Sequence, residues 1–113
     1  MVTSRASKQW ILPKGWLEDG LTEKELAALE AKEEAGVITK PKKIKKIGAY
    51  RYIKWLSPKR SMPLIINVYS MPVKRLEKTY KESHQRKRKW VTTRKATKLV
   101  NDKNLQAFLK KIA

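Results

Sequence analysis

Gly15-Trp16-Leu17-Glu18-Asp19-Gly20-Leu21-Thr22, running on through Leu29-Glu30-Ala31-Lys32-Glu33-Glu34-Ala35-Gly36-Val37, is the stretch whose reading decides the fold of this 113-residue chain. Its first part is a turn-rich loop, marked by Gly15 and Asp19-Gly20. Thr22 then has the side chain of an N-cap, and Glu25 three residues later completes a capping box. Residues 23–35 are only Glu, Lys, Ala and Leu, all good helix formers. Leu26, Leu29 and the alanines supply its packing face, and Gly36 stands at the C′ position that ends such a helix.

The same window concentrates charge. Seven of the ten carboxylates lie between Glu18 and Glu34, with only Lys24 and Lys32 among them, so the window sums to −5 in a chain of +18. Glu25 is accounted for by the capping box. Glu18, Asp19 and Glu23 suit the positive end of the helix dipole. Glu30, Glu33 and Glu34 remain, at i, i+3 and i+4, and share one helix face. Like charges at this spacing cost a bare helix a few tenths of a kcal/mol per pair. A hard divalent cation, its shell completed by waters and substrate phosphate, would remove that cost. The spacing fits a solvent-facing acidic surface as well, and spacing alone leaves both readings open.

Working outward, the remainder of the chain is strongly basic, with 28 Lys and Arg in all, which implies an anionic partner. One domain spanning residues 1–113 suits the length. With no cysteine there is no disulfide and no thiolate chemistry. The apolar runs, Leu26–Leu29 and Leu64–Ile66 among them, are far too short to span a membrane, and the N-terminus lacks a signal-peptide core. A cytoplasmic setting and no membrane partner are the expectations. Gln9–Leu12 reads as a short strand stopped by Pro13. Ile44–Leu56 reads as a strand interrupted near Gly48, with a hairpin turn at Ser57-Pro58-Lys59-Arg60. Leu64–Val73, apolar on both faces, suggests a central covered strand. Lys87–Thr92 suggests a further strand, Thr93 a cap for a helix over Arg94–Val100, and Leu105–Ile112 a final amphipathic helix. Trp10, Trp55 and Trp90 read as core or strand-packing residues. The sum is mixed α/β, strands flanked by helices.

Residues 15–37 resemble the box of the Nudix hydrolase family: Gly, five residues, Glu, seven residues, then Arg-Glu-apolar-x-Glu-Glu-x-Gly-apolar. Gly15, Glu30, Ala31, Glu33, Glu34, Gly36 and Val37 fall in register. Leu21 and Leu29 replace the family's first Glu and its Arg, an ion pair exchanged for an apolar pair at little stability cost. Thr3-Ser4-Arg5 before Trp10-Ile11-Leu12-Pro13, Gly48-Ala49-Tyr50-Arg51-Tyr52 and His84-Gln85-Arg86-Lys87-Arg88-Lys89-Trp90-Val91 are similar to segments of the diphosphoinositol polyphosphate phosphohydrolase-like branch. The resemblance covers essentially the whole chain.

The resemblance implies an α/β fold, a Nudix-type α/β/α sandwich with a mixed sheet. It is N-terminally shortened, because the family places a strand upstream of the Thr-Ser-Arg turn. That shortening would leave an exposed sheet edge through which copies could associate. It implies Mg²⁺ or Mn²⁺ held by Glu30, Glu33 and Glu34, with Glu33 or Glu30 in the catalytic role. Ser4, Arg5, Lys14, Gly15, Arg51 and Arg86 would bind the phosphates of a small-molecule substrate, where Arg offers a bidentate fork and Lys a point charge. The implied reaction is hydrolysis of a diphosphate linkage in a nucleoside polyphosphate, dinucleoside polyphosphate or diphosphoinositol polyphosphate. The alternative is a degenerate scaffold that binds RNA or another polyanion without turnover, through basic residues and surface aromatics.

Overall fold

A computed structural model describes residues 1–16 and 20–113, so the part of the loop at 17–19, with the expected first-turn charges of Glu18 and Asp19, lies outside the described residues. The acidic helix forms as its local signals dictate. It is α1, Glu23–Ala35. The Thr22 hydroxyl accepts from the Glu25 amide while the Glu25 carboxylate accepts from the Thr22 amide, closing the capping box. Gly36 ends the helix at φ 66°, where its amide returns to the Ala31 and Lys32 carbonyls. A Cβ at Gly36 would also press on the Tyr80 ring and the Glu77 carbonyl. Position and backbone conformation both call for glycine there.

Around this helix the chain builds three antiparallel two-stranded pairings. β1 (Val2–Thr3) pairs with β2 (Trp10–Ile11), β3 (Val37–Thr39) with β6 (Val73–Leu76), and β4 (Lys45–Ser57) with β5 (Arg60–Ser70). The β4–β5 hairpin turns at Pro58-Lys59, and its register shifts by one residue around Ile47, next to Gly48, as the interruption in the sequence suggests. The second strand departs from expectation. The run Leu64–Val73 is split at Met71-Pro72: β5 pairs only with β4, and Val73 opens β6, which pairs with β3. Proline supplies no ladder donor, so the two halves part at Pro72, and its carbonyl instead accepts from the Thr39 hydroxyl. Among the described residues β5 is therefore an edge strand and not a central one.

Lys87–Thr92 does not become a strand either. Residues 87–89 run beside β1 through Thr3–Lys87 and Met1–Lys89 backbone bonds, but only the Val2–Arg88 bridge is formed. Trp90 is 69% exposed and Trp55 66% exposed, so neither packs in the core, whereas Trp10 does pack against it. The two C-terminal helices are α2 (Thr93–Leu99), capped by Thr92 one residue earlier than expected, and α3 (Lys103–Ile112), capped by Asp102. They lie against the hairpin. Tyr50 and Val68 of the sheet, Ala96 and Val100 after it, and Leu105, Phe108 and Leu109 form the buried cluster. Gly48 lets the Phe108 ring approach the β4 backbone, at a point where any Cβ would touch it. The architecture is mixed α/β with antiparallel pairings. No helix among the described residues is long and apolar enough to cross a membrane.

Candidate functional site

Helix α1 presents one face along its length to a cleft of about 1020 Å³ whose opposite walls come from the Pro13-Lys14-Gly15 turn, β5 and the loop at 81–90. The three carboxylates that share a helix face do not share an environment. Glu34 is 1% exposed, one of the most completely buried side chains in the molecule. Its Oε1 lies 3.4 Å from Arg86 Nη2 yet makes no hydrogen bond. Burial pushes the Glu34 carboxyl up to about 8, a hydrogen bond with Glu30 and the charges of Glu30 and Glu82 push the same way, and Arg86 opposes them. Burial beside Glu30 thus holds the Glu34 carboxyl protonated to well above the usual carboxylate range.

Glu30 is held in place by what the turn lacks. A Cβ on Gly15 would collide with the Glu30 carboxylate, so the glycine at this position admits the acid. Glu33 lines the cleft too, but its Oε2 is 2.7 Å from Lys81 Nζ. Among the described residues no group of three or more Asp, Glu, His or Cys side chains is placed to hold a metal ion. The donors present fit a divalent cation on two carboxylates, Glu30 and Glu34, with an orphaned buried oxygen on the second. Mg²⁺ is commonly held by one or two carboxylates plus water and phosphate oxygens.

Arg86 is the hub of the cationic side. Its side chain is 10% exposed and divides its donors among three partners: Nη2 toward Glu34, Nε to Glu82 at 3.3 Å, and Nη1 to the Thr3 carbonyl at 3.0 Å. It therefore ties β1, α1 and the loop at 81–90 together. Arg5 reaches the same cluster from the turn after β1, 3.6 Å from Glu82 and hydrogen-bonded to Gln85. Lys14 lies over the Tyr52 ring at 4.5 Å. Burial pulls its ammonium below the usual value; Glu34 pulls it back, and Lys54 and Arg86 add to the lowering. Lys54 in turn sits 4.5 Å over the Trp16 ring. Ser4 is spent on its own turn: it bonds the Ser7 hydroxyl and accepts from the Gln9 amide.

Of the residues singled out from the sequence, Glu30, Glu33, Glu34, Arg5, Lys14, Gly15 and Arg86 line one cleft. Arg51 does not. It is exposed on β4, and its carbonyl is bonded by Asn104 of α3. His84 is exposed and outside the lining. Sequence reasoning missed Glu82 and Lys81: Lys81 meets Glu33, and Glu82 meets Arg5, from far along the chain, and only the i, i+4 spacing of Glu82 and Arg86 was a local signal. Trp16, Tyr52 and Lys54 join the rim as two cation–aromatic pairs. No protein-family model matches the chain, and no curated protein matches it.

Proposed function

We propose that this protein is a Nudix-type hydrolase that cleaves a diphosphate linkage in a nucleoside polyphosphate, dinucleoside polyphosphate or diphosphoinositol polyphosphate, with Mg²⁺ or Mn²⁺ as cofactor. On this reading the mixed α/β architecture is a Nudix-type α/β/α sandwich. The observation that carries the reading is the Glu30–Glu34 pair: two carboxylates, one buried with an unbonded oxygen, facing a cleft rimmed by Lys14, Arg5 and Arg86. An apolar side chain would serve packing better at Glu34, because burying an acid costs several kcal/mol without a compensating partner.

Glu30 and Glu34 would hold the cation, which supplies charge neutralisation at the phosphates when bound. Lys14 and Arg5 bind phosphate oxygens from the rim. Arg86 keeps Glu34 ionisable by balancing its charge. Glu33 orients the attacking water or accepts its proton once Lys81 has turned to substrate phosphate. Positioning and charge stabilisation carry such chemistry. The test is turnover of a polyphosphate panel with and without Mg²⁺, on the parent chain and on Glu34→Gln and Glu33→Gln. Divalent-dependent hydrolysis, lost in both variants with the fold intact, supports the reading. Retained turnover in either variant overturns the assignment of that residue.

A second reading has its own supporting observation. Glu33 is closed by Lys81, and the described residues hold no three-acid group. A scaffold of this kind, at +18, would bind a polyanion such as RNA without turnover. Tight, salt-sensitive RNA binding in the absence of metal, with no hydrolysis of any substrate, selects it.

A further inference from the structure

Among the described residues, no strand pairs with the outer edge of β5. Ser57 and Arg60 flank the two-residue turn as a register pair, and in such a hairpin they exchange their hydrogen bonds. The register shifts once more between Trp55 and Ser57, with the extra residue on β4, so alternation along β5 is kept: it turns Met62, Leu64 and Ile66 toward β4 and leaves the backbone groups of Ser61, Pro63, Ile65 and Asn67 pointing away from it. The other strand agrees: the Arg51 carbonyl, in the pair opposite Ile65, faces out and accepts from Asn104. Among the described residues, none of the four outward-facing groups on β5 has a backbone partner. Pro63 costs the edge one donor and leaves its carbonyl available.

This edge opens on the cleft. Helix α1 reaches β5 at Glu23, which accepts from Asn67 Nδ2 and Tyr69 Oη. Elsewhere Leu26 and Ala27 of α1 line one wall while Leu64 and Ile65 line the other. Ile65 is 67% exposed. A long, apolar, unpaired edge beside an open cleft is the arrangement that accepts an added strand.

We propose that the β5 edge binds an extended peptide segment by strand addition, and that the segment alternates acidic with apolar residues. Alternation follows from the geometry: every second side chain of an added strand faces the same wall as Ile65. The acidic partner follows from charge. No Asp or Glu occurs between Ala35 and Leu76, and Lys54, Lys59 and Arg60 at the hairpin end make no ion pair among the described residues. On the helix wall, by contrast, Glu23, Glu33 and Glu34 already have partners. A second copy of this chain would bring the same uncompensated cations to the edge. RNA has no use for donors and acceptors at strand spacing. The inference stands apart from the hydrolase reading, because it uses a backbone edge and not the carboxyl pair.

The probe is a short capped peptide alternating Glu and Val, titrated into the intact chain while backbone amide exchange is followed by NMR. Binding should slow exchange at the Ser61 and Ile65 amides about tenfold or more, and N-methylation of alternate peptide amides should abolish the effect. A Lys–Val peptide of equal length should bind at least about tenfold more weakly. Ile65→Pro removes an outward donor without touching the β4 ladder and should eliminate protection at Ser61. Arg60→Glu, which keeps every backbone donor, should weaken binding about tenfold and serves if the proline variant fails to fold. No protection at about 1 mM peptide, equal binding of the N-methylated peptide, or protection of the same amides by an RNA oligomer in its place would overturn the proposal.

Discussion

Replacing Glu34 by Gln should stabilise the apoprotein at alkaline pH and leave it nearly unchanged near pH 5. Glu34 takes up its proton at about 8 in the folded state, against an ordinary value of 4.5. Between those values the folded chain binds a proton that the unfolded chain does not, so stability falls as pH rises through this window. Each unit is worth about 1.36 kcal/mol, so the full span of 3.5 units caps the loss at about 5 kcal/mol. Gln carries the shape of the protonated acid without the ionisation. It also leaves Arg86 with Glu82 as a charged partner. A net gain of about 2–4 kcal/mol at pH 9 follows once the weakened Arg86 contact is subtracted. For a domain of this size that corresponds to a rise in Tm of about 10 °C. Thermal unfolding of parent and variant, each from pH 5 to pH 9 without divalent ions, reads out Glu34 and the groups it touches, because titrating groups remote from it cancel in the difference. A parent chain as stable as the variant at pH 9, or a difference that does not grow between pH 5 and pH 8, would refute the argument that Glu34 is held protonated by burial beside Glu30.

Divalent cation should reverse that alkaline instability. Millimolar Mg²⁺ at pH 8.5 should raise the parent Tm by several degrees and leave Glu34→Gln unmoved, as differential scanning fluorimetry would record. Gly15→Ala should keep the fold but displace the Glu30 carboxylate, with which its Cβ collides, and so lower divalent-dependent hydrolysis and the Mg²⁺ shift together by about tenfold. Gly36→Ala forces a side chain onto a backbone at φ 66° and against the Tyr80 ring, and urea unfolding should show a loss of about 2 kcal/mol or more. Thr22→Ala removes one half of the capping box and should cost about 1 kcal/mol by the same measurement, with turnover unchanged.

Why these sites respond so differently is a matter of contact range. Thr22, Glu25 and Gly36 act within a turn of helix, so their roles are legible from the letters around them. Arg86 could be suspected from the sequence as a phosphate ligand, yet its three-way position between Thr3, Glu34 and Glu82 spans up to 83 residues of separation. The apolar run over Leu64–Val73 carries the letters of a covered strand. What decides its place is whether another strand lies beside it, and no property of the run itself encodes that. Trp55 and Trp90 show the same limit. Trp55 stands on a strand face and Trp90 outside any strand; an aromatic at either place packs only if something covers it, and here neither is covered.

The sequence by itself therefore determined the acidic helix, its caps, its ending glycine, the hairpin and the final pair of helices, because each rests on hydrogen bonds and steric rules within a few residues. The common helix face of Glu30, Glu33 and Glu34 was legible for the same reason. Only the tertiary structure decided that these three acids are chemically unlike. Glu34 is buried against Arg86, Glu30 fills the space a Gly15 side chain would take, and Glu33 is turned to Lys81. Helical spacing places a carboxylate on a face. The desolvation and the partner that set its charge come from chain segments far away in sequence.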